Sequence, residues 1–202
     1  YIGLLEDMDE VSEIRPAVFR AGIVKHEEQI YGVLVKGMPG GVHAAVDTEG
    51  ADTVKLAVAV PKSFADASGL GPGDRMLTYF VGDRMKVRQF NIVDTYESGA
   101  DPDGRFLVYA DIEDMRRLNG WEQDEASMME VLLTPSNRDE ESMEAAAAEI
   151  GFIMNTYASE DDDALIAVSA VSRYPQVFGW LSLIDFNVFF ILLLMTVVAG
   201  FN

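Results

Sequence analysis

The chain has 202 residues, of which 49% are hydrophobic and 24% charged, and 34 acidic against 15 basic residues give a net charge of −19. This length allows one large domain or two small ones with a sizeable core. The charge argues against nucleic acid and anionic lipid headgroups as partners of the folded part, because both would repel it. The absence of cysteine excludes disulfides and thiolate metal sites.

The N-terminal quarter predicts a helix, two strands and a loop. Leu4, Met8 and Val11 fall at helical spacing among acidic residues, which predicts an amphipathic helix in a region that Pro16 closes. Residues 17–24 and 29–36 have the composition of strands, and residues 26–28 form the polar turn between them. Residues 37–52 are rich in Gly, Pro and Ala and predict a loop.

Residues 54–96 predict a strand, a short helix and a strand pair. The first strand covers 54–60, Pro61 opens the helix, and Gly69 ends it. After a tight turn at 71–74, strands at 76–81 and 85–94 flank Gly82-Asp83. The apolar parity of the second strand changes after Val87, which predicts a bulge near Arg88.

Residues 97–171 predict two further helices between strands. A loop at 97–104 precedes a strand at 106–109 and a helix with Asp111 as N-cap and Gly120 at its end. A strand at 129–133, a helix from Asn137 and a strand at 165–171 follow, and no internal repeat is visible. The buried residues predicted for the second helix are Met143, Ala147, Ile150, Met154 and Tyr157.

The last stretch, residues 180–201, predicts the start of a transmembrane helix. It carries no charge after Asp185, and its apolar residues occupy every side of a helix rather than one stripe. A buried C-terminal core helix is the alternative. From residue 139 onward Arg173 is the only basic residue, so we expect residues 1–176 on the non-cytoplasmic side. The chain begins at Tyr1 without a signal peptide, and we expect its natural beginning to lie upstream.

Few residues form a candidate chemical site. Asp161-Asp-Asp163 and Asp101-Pro-Asp-Gly104 lack the spacing of a calcium loop, so solvated loops are the preferred interpretation. Residues 69–73 suggest a phosphate cradle, but neither Lys-Ser/Thr nor a helix start follows. His26 and His43 are too few for a metal triad, and no Gly-x-Ser-x-Gly elbow is present. We expect no catalytic, cofactor or metal site.

Three basic residues alternate along one predicted strand of this acidic chain. Arg84, Lys86 and Arg88 together form a basic strip, and one interpretation is a docking strip for an acidic partner. The preferred interpretation is an edge strand that charge protects from aggregation.

Several motifs carry a family resemblance. These are Ser-Gly-Leu-Gly-Pro-Gly-Asp at 68–74, Arg-Gln-Phe-Asn-Ile-Val at 88–93, Asp-Gly-Arg-Phe-Leu-Val at 103–108 and Met-Arg-Arg-Leu-Asn-Gly-Trp at 115–121. With them the chain resembles the extracytoplasmic domain of FtsX/MacB-type ABC transporter permeases. Tyr-Pro-Gln-Val-Phe-Gly-Trp-Leu at 174–181 and Val-Ala-Gly-Phe-Asn at 198–202 are similar to the second membrane helix of the lipoprotein-releasing permeases, LolC and LolE. The resemblance departs at residues 40–53, where such proteins carry a longer insert.

The resemblance implies an α+β fold with two lobes of the MacB type, a strand–helix–strand lobe with an inserted β-rich lobe. We assign residues 1–53 and 122–176 to a membrane-proximal lobe, 54–121 to the inserted outer lobe, and 177–202 to the start of the transmembrane helix. Trp180, Leu183, Phe186 and Phe190 are the candidates to face lipid or lipoprotein, with ordinary lipid-packing side chains as the alternative.

The implied function is transmission of motion in the bacterial inner membrane, without enzymatic activity or cofactor on this chain. The implied partners are an ATPase subunit, a second permease subunit, a lipoprotein substrate and a periplasmic chaperone. Efflux and control of cell-wall hydrolases are alternatives on the same fold. A soluble binding domain with a buried C-terminal helix is the alternative from another class.

Overall fold

The computed structural model describes residues 2–45, 54–82, 85–97, 105–157 and 165–201. The helices are α1 (Ile2–Glu6), α2 (Gly41–Ala45), α3 (Lys62–Ser68), α4 (Ile112–Asn119), α5 (Glu140–Tyr157), α6 (Ala170–Arg173) and α7 (Pro175–Phe201). The strands are β1 (Val11–His26), β2 (Gln29–Met38), β3 (Ala57–Pro61), β4 (Arg75–Phe80), β5 (Lys86–Tyr96), β6 (Phe106–Asp111) and β7 (Met128–Leu133). The predicted α+β class and the long apolar C-terminal helix are confirmed.

The chain divides into two compact units, residues 14–131 and residues 1–13 with 132–202. The boundaries fall within β1 and β7. This division differs from the predicted lobes of 1–53 with 122–176 and of 54–121, because the β1–β2 hairpin pairs with β4 and β6. The assignment of the lobes to membrane-proximal and outer positions stays a prediction.

Six strands of the 14–131 unit close into a ring. Among the described residues, their order is β2-β6-β3-β5-β4-β1, and β1 closes the ring by pairing with β2 from Val18↔Gly37 to His26↔Gln29. β7 pairs with β1 as a seventh strand. A closed ring leaves few free strand edges, which protects these β-branched strands from pairing with other chains.

The ring contains a repeat that the sequence does not reveal. β1, β2, β3 and α3 follow the same order as β4, β5, β6 and α4, and exchanging the two sets leaves every pairing in the ring unchanged. The equivalent ladders β2–β6 and β5–β3 are both parallel, and they end at Asp111 and Pro61, where α4 and α3 begin. The prediction of no internal repeat is therefore wrong for the topology, because the repeat lies in strand pairing rather than in residue identity.

Local chemistry delimits both helices of the repeat as predicted. The Asp111 carboxylate accepts a hydrogen bond of 2.8 Å from the Glu113 N–H and so caps α4, while Pro61 occupies the position before α3. Gly69 and Gly120 end the two helices with φ of 76° and 78°. Glycine adopts this left-handed conformation at little steric cost, so each helix stops at a defined residue.

The N-terminal elements differ in part from the prediction. The two-residue turn at Glu27 and Glu28 is confirmed, but α1 ends at Glu6 and residue 11 already begins β1, which continues through Pro16. β1 is 16 residues long, and it pairs along this length with β2, β4 and β7. The predicted loop at 37–52 also contains the end of β2 and helix α2, and residues 46–53 lie outside the described part of the chain.

The β4–β5 pair forms as predicted, without the predicted bulge near Arg88. The two strands pair in regular register from Arg75↔Asn91 to Phe80↔Lys86. The irregularity lies instead in the β3–β5 ladder, between Val58 and Ala59. The prediction of a bulge near Arg88 is wrong because Val87 points outward, so the strand parity does not change at Arg88; the residue skipped in the β3–β5 ladder is Val93.

The side chains of one apolar cluster fill the 14–131 unit. The cluster's fully buried members come from all six ring strands and from α3 and α4, which explains why the strands read as β-branched and aromatic. Its largest members are Phe64, Phe80, Phe90, Met76, Ile92, Met115 and Leu118. Phe80 and Phe90 meet edge to face, with ring centroids 6.2 Å apart.

Two glycines permit the closest approaches in this core. A Cβ on Gly37 would lie 2.7 Å from Cγ of Met115, so helix α4 rests directly on the β2 backbone. A Cβ on Gly22 would lie 2.7 Å from Cγ2 of Thr78, where β1 crosses β4. Neither position accepts a larger residue without a shift of its neighbours.

The second unit is built around α5. Asp139 precedes the helix, and its carboxylate accepts hydrogen bonds from the Ser142 hydroxyl (2.6 Å) and N–H (2.9 Å), which lower the pKa of Asp139. Ile150 is buried, as the helical spacing predicts, whereas Met143, Ala147 and Met154 are half-buried and the second buried residue is Ala146. Tyr157 is an exception, because its side chain is 60% exposed at the last turn.

The predicted strand at residues 165–171 is absent. Residues 165–169 carry no regular secondary structure, and the short helix α6 occupies Ala170–Arg173. Ser169 ends the extended segment, because its hydroxyl accepts a hydrogen bond of 3.0 Å from the Ser172 N–H and caps α6. β-branched composition alone therefore misled the prediction.

A substitution at Thr78 tests the tightness of the ring. Thr78 is fully buried, and its hydroxyl has no hydrogen-bond partner among the described residues. We expect Thr78→Val to raise the free energy of unfolding by about 1 kcal/mol, because an unpaired buried hydroxyl is replaced by a methyl group. Thr78→Ser keeps the hydroxyl and removes the methyl, so it is expected to lower stability. Denaturant titration measures both, and a valine variant less stable than the parent would contradict the expectation.

Candidate functional site

The candidate lipid-facing residues all lie on α7 and are all exposed. Trp180 and Phe186 are each 63% exposed, Leu183 is 56% exposed, and Phe190 is 53% exposed. Their spacings of three, three and four residues place them within about 120° of the helix circumference. They form one side of a helix whose other sides are equally apolar, so they do not stand apart as a separate stripe.

Helix α7 has the length of a membrane-crossing segment. Its 27 residues make a helix about 40 Å long at ~1.5 Å per residue, against a hydrocarbon core of about 30 Å. Pro175 stands at its first position, where a missing N–H has no cost. Within the span of residues 175–200, the most apolar 18-residue window has a mean hydropathy of 2.4, and none of the residues in that window is buried.

Polar groups within α7 are few. Asp185 is the helix's one ionisable residue in the sequence, and the side chains of Ser182 and Asp185 lie outside the described part of the structure. In the C-terminal half, the Thr196 hydroxyl donates a hydrogen bond of 2.8 Å to the Leu192 carbonyl one turn earlier. This bond satisfies the hydroxyl within its own helix, which a hydrocarbon surrounding requires.

The exposed apolar surface of α7 is too large for water. Sixteen large apolar side chains of the helix are between 37% and 64% exposed. Complete burial stabilises each by about 1.5–3 kcal/mol, so their exposure forgoes on the order of 15–20 kcal/mol. That amount exceeds the whole stability of a typical domain, ~5–15 kcal/mol. Among the described residues, none in the helix's most apolar window is buried, which argues against the alternative of a buried core helix.

The basic strip is only partly a free surface. Lys86 is half-buried, and its ammonium group donates a hydrogen bond of 2.6 Å to the Leu118 carbonyl in the last turn of α4. Arg88 donates to the carbonyl of its neighbour Val87, at 2.9 Å. Arg84 lies outside the described residues. Lys86 therefore has a structural role at the end of a helix, and docking by the strip stays a prediction.

An exposed apolar row, which the sequence did not predict, crosses three strands on the face opposite to that of Lys86 and Arg88. Ile23 pairs with Tyr79, and Tyr79 pairs with Val87, so the three side chains share one face. Ile23 and Val87 are each 40% exposed. Lys25 and Arg75 have the same strand parity, and both are exposed. The signal was present in the alternation of β1 and β4, but only the register shows that the residues are neighbours.

The described cavity lies at the end of the ring. It has a volume of about 510 Å³, and Asp111, Asp114, Arg117 and Leu56 are among its lining residues. Asp114 is paired with Arg117, and Asp111 caps α4. Asp111, Asp114 and Arg117 thus serve the fold, and Lys55 is a further charged residue of the lining.

The other candidate sites give no sign of binding chemistry. The Gly71 N–H donates 2.9 Å to the Asp74 carboxylate, so the turn at 69–73 already has an anion of its own. Within the described ranges, no group of three potential metal ligands occurs, which includes His26 and His43. Asp161-Asp-Asp163 and Asp101-Pro-Asp-Gly104 lie outside those ranges.

Solved structures of low sequence identity are similar to this chain. The extracellular domain of the noncanonical ABC-type transporter YknZ from Gram-positive bacteria is 12% identical, with a TM-score of 0.47 over 77% of this chain and 80% of that one. The periplasmic region of MacB from Actinobacillus actinomycetemcomitans is 11% identical, with a TM-score of 0.46 over 76% and 72%. A domain of a putative permease from Porphyromonas gingivalis is 14% identical, with a TM-score of 0.42 over 85% and 86%. No protein-family model and no curated protein matches the chain.

Substitution of Lys86 separates a structural from a docking role. Lys86→Met keeps the aliphatic stem and removes the ammonium group from the C-terminus of α4, so we expect the free energy of unfolding to fall by about 1 kcal/mol. Arg88→Met is the matched control, and a change within about 0.5 kcal/mol is expected there. Urea titrations of both variants test this, and equal effects would contradict the helix-capping role.

Proposed function

We propose that this chain is the extracytoplasmic domain of an ABC transporter permease subunit, joined to the membrane helix that follows it. The observation that carries the proposal is α7, a 27-residue helix with exposed apolar side chains on every side. The motifs that resemble FtsX/MacB-type permeases support the family assignment. The scarcity of basic residues before α7 supports a non-cytoplasmic position for residues 1–176, on the periplasmic side of the inner membrane.

In the proposed role, the domain transmits motion and performs no chemistry of its own. ATP hydrolysis takes place on a separate partner subunit, and a second permease subunit completes the membrane part. The closed ring suits this work, because a core of interlocked strands moves as one body rather than yielding to force. The substrate that we propose is a lipoprotein lifted from the membrane and passed to a periplasmic chaperone, which rests on the resemblance of residues 174–181 and 198–202 to the lipoprotein-releasing permeases.

Insertion of α7 is testable with one charge. Leu193 lies near the middle of the uncharged part of the helix. An arginine at a helix centre costs about 2.5–3.5 kcal/mol for membrane insertion. We therefore expect Leu193→Arg to reduce the equilibrium constant for membrane insertion of α7 by roughly 100-fold.

The matched control for this variant is Val177→Arg. Val177 is exposed on the same helix but lies in its first turn, where a long basic side chain reaches the interface. The assay is the ratio of retained to released protein after alkaline washing of membranes. The same ratio for both variants would contradict a transmembrane position for Leu193.

The substrate is testable by reconstitution. The full permease with its ATPase partner, placed in proteoliposomes that contain a lipidated protein, is expected to release that protein to a soluble chaperone only when ATP is hydrolysed. A non-lipidated form of the same protein is the control and should not stimulate hydrolysis. ATP hydrolysis without release would remove the lipoprotein assignment, and an outer-membrane channel and adaptor among the genomic neighbours would point to efflux instead.

A further inference from the structure

The extended segment at residues 165–169 has two different faces. Ile166 is 82% exposed and Val168 is 60% exposed, whereas Ser169 is buried and Ala167 is half-buried. Successive side chains of an extended chain point to opposite sides. From Ile166 onward, Ile166 and Val168 therefore share the outward face, and Ala167 and Ser169 share the inward one, whereas Leu165 is 52% exposed although it has the inward parity.

Helix α5 explains the inward face. A Cβ built on Gly151 would lie 3.8 Å from the Cβ of Ala167, so this part of α5 packs against the segment. Phe152 follows Gly151 directly in the helix and is 71% exposed. Phe152, Ile166 and Val168, which we call the juxtamembrane apolar surface, are three large apolar side chains of α5 and of the segment that packs on it, and all three are exposed among the described residues.

The segment is connected to α7 with almost no interruption. Ser169 caps α6, and the Tyr174 N–H donates 2.9 Å to the Ala170 carbonyl at the end of that helix. The N–H groups of Val177 and Phe178 in turn bond to the Tyr174 carbonyl, at 3.0 and 3.4 Å. Six residues separate Val168 from Pro175, so these short bonded steps keep the apolar segment close in the chain to the helix that needs lipid.

We propose that the juxtamembrane apolar surface rests in the interfacial layer of the lipid bilayer beside α7. This inference depends on the proposed function, because it requires α7 to lie in a membrane. A segment with unpaired backbone groups cannot enter hydrocarbon, but the interfacial layer supplies water for its N–H and C=O groups and apolar depth for its side chains. Tyr174 and Trp180 are exposed aromatic residues of the type that the same layer favours.

The charges near the segment indicate which lipid headgroup is appropriate for a test of binding. Arg173 is the only basic residue after Arg138, and residues 160–163 are all acidic in the sequence. Electrostatic attraction to anionic headgroups therefore contributes little, and apolar contact supplies the binding. A bilayer of zwitterionic phosphatidylcholine is the appropriate test surface.

The absence of cysteine from the chain makes a direct test possible. Ile166→Cys, Leu193→Cys and Ile30→Cys variants of the whole chain are each labelled with an environment-sensitive fluorophore and reconstituted in phosphatidylcholine vesicles. Ile30 is the matched control, an isoleucine that is 69% exposed on the β1–β2 turn. Quenching is then measured with aqueous iodide, with a nitroxide at the lipid headgroup and with a nitroxide deep in the acyl chain.

The expected result has three parts. The label at residue 166 shows a blue shift, a loss of iodide quenching and preferential quenching by the headgroup nitroxide. The label at residue 193 is quenched by the deep nitroxide, and the label at residue 30 stays accessible to iodide.

Every other outcome contradicts the interfacial position of residue 166, the proposed function, or both. A label at residue 166 that iodide quenches freely, with residue 193 deep in lipid, overturns the interfacial position and leaves the proposed function intact. Deep quenching at residue 166 also overturns it. Lipid quenching at residue 30 would show that the fluorophore itself draws a site into the membrane, which overturns the result at residue 166. Iodide quenching at residue 193 overturns the proposed function and this inference together.

Discussion

Helix α7 exposes an apolar surface whose contact with water is unfavourable, and this constraint determines the surroundings that the protein requires. Its sixteen exposed apolar side chains represent a larger free energy than the fold of an average domain supplies. Covering one side of the helix would leave apolar side chains exposed on the others, because no side is polar. A surrounding that is apolar all around the helix is required, and lipid is the solvent that offers it.

The remainder of the chain is folded by ordinary means. The ring of residues 14–131 places its β-branched and aromatic side chains in one cluster and satisfies its helix ends with Asp111, Gly69 and Gly120. Lys36 lies between the rings of Phe19 and Tyr109 and pairs with Glu130 at 2.5 Å, which ties β7 to the ring. Among the described residues, the Thr78 hydroxyl is the buried side-chain polar group without a hydrogen-bond partner.

The sequence predicted the local elements better than their arrangement. Helix caps, tight turns and the apolar end of the chain follow from interactions between residues close in sequence, and Asp111, Gly120 and Pro61 were identified for that reason. Ring closure and the repeat depend on pairs such as Val58↔Ala110 and Ile23↔Tyr79, whose partners are more than fifty residues apart. Periodicity carries no information about such distant pairs.

For the candidate site, the sequence correctly predicted that the residues of α7 are exposed. It was misleading at residues 165–171 and at Lys86. Residues 165–171 have strand composition, yet β propensity reflects a pleated, half-covered surface, and this segment is covered only on the side of Ala167. Lys86 looked like a free cation because its partner, the Leu118 carbonyl, is a backbone group on a distant helix. Side chains that serve backbone groups elsewhere in the fold are invisible to charge patterns.

The repeat in the ring, in which the strands of each half pair with strands of the other half, has a consequence for folding during synthesis. The first β-β-β-α half pairs its β2 with β6 and its β3 with β5, both of which belong to the second half. An N-terminal half that leaves the ribosome first therefore holds unfinished ladders and a bare apolar face until some fifty more residues arrive, and contacts of such long range form slowly. During that interval the nascent chain depends on chaperones more than a protein with independently folding halves would.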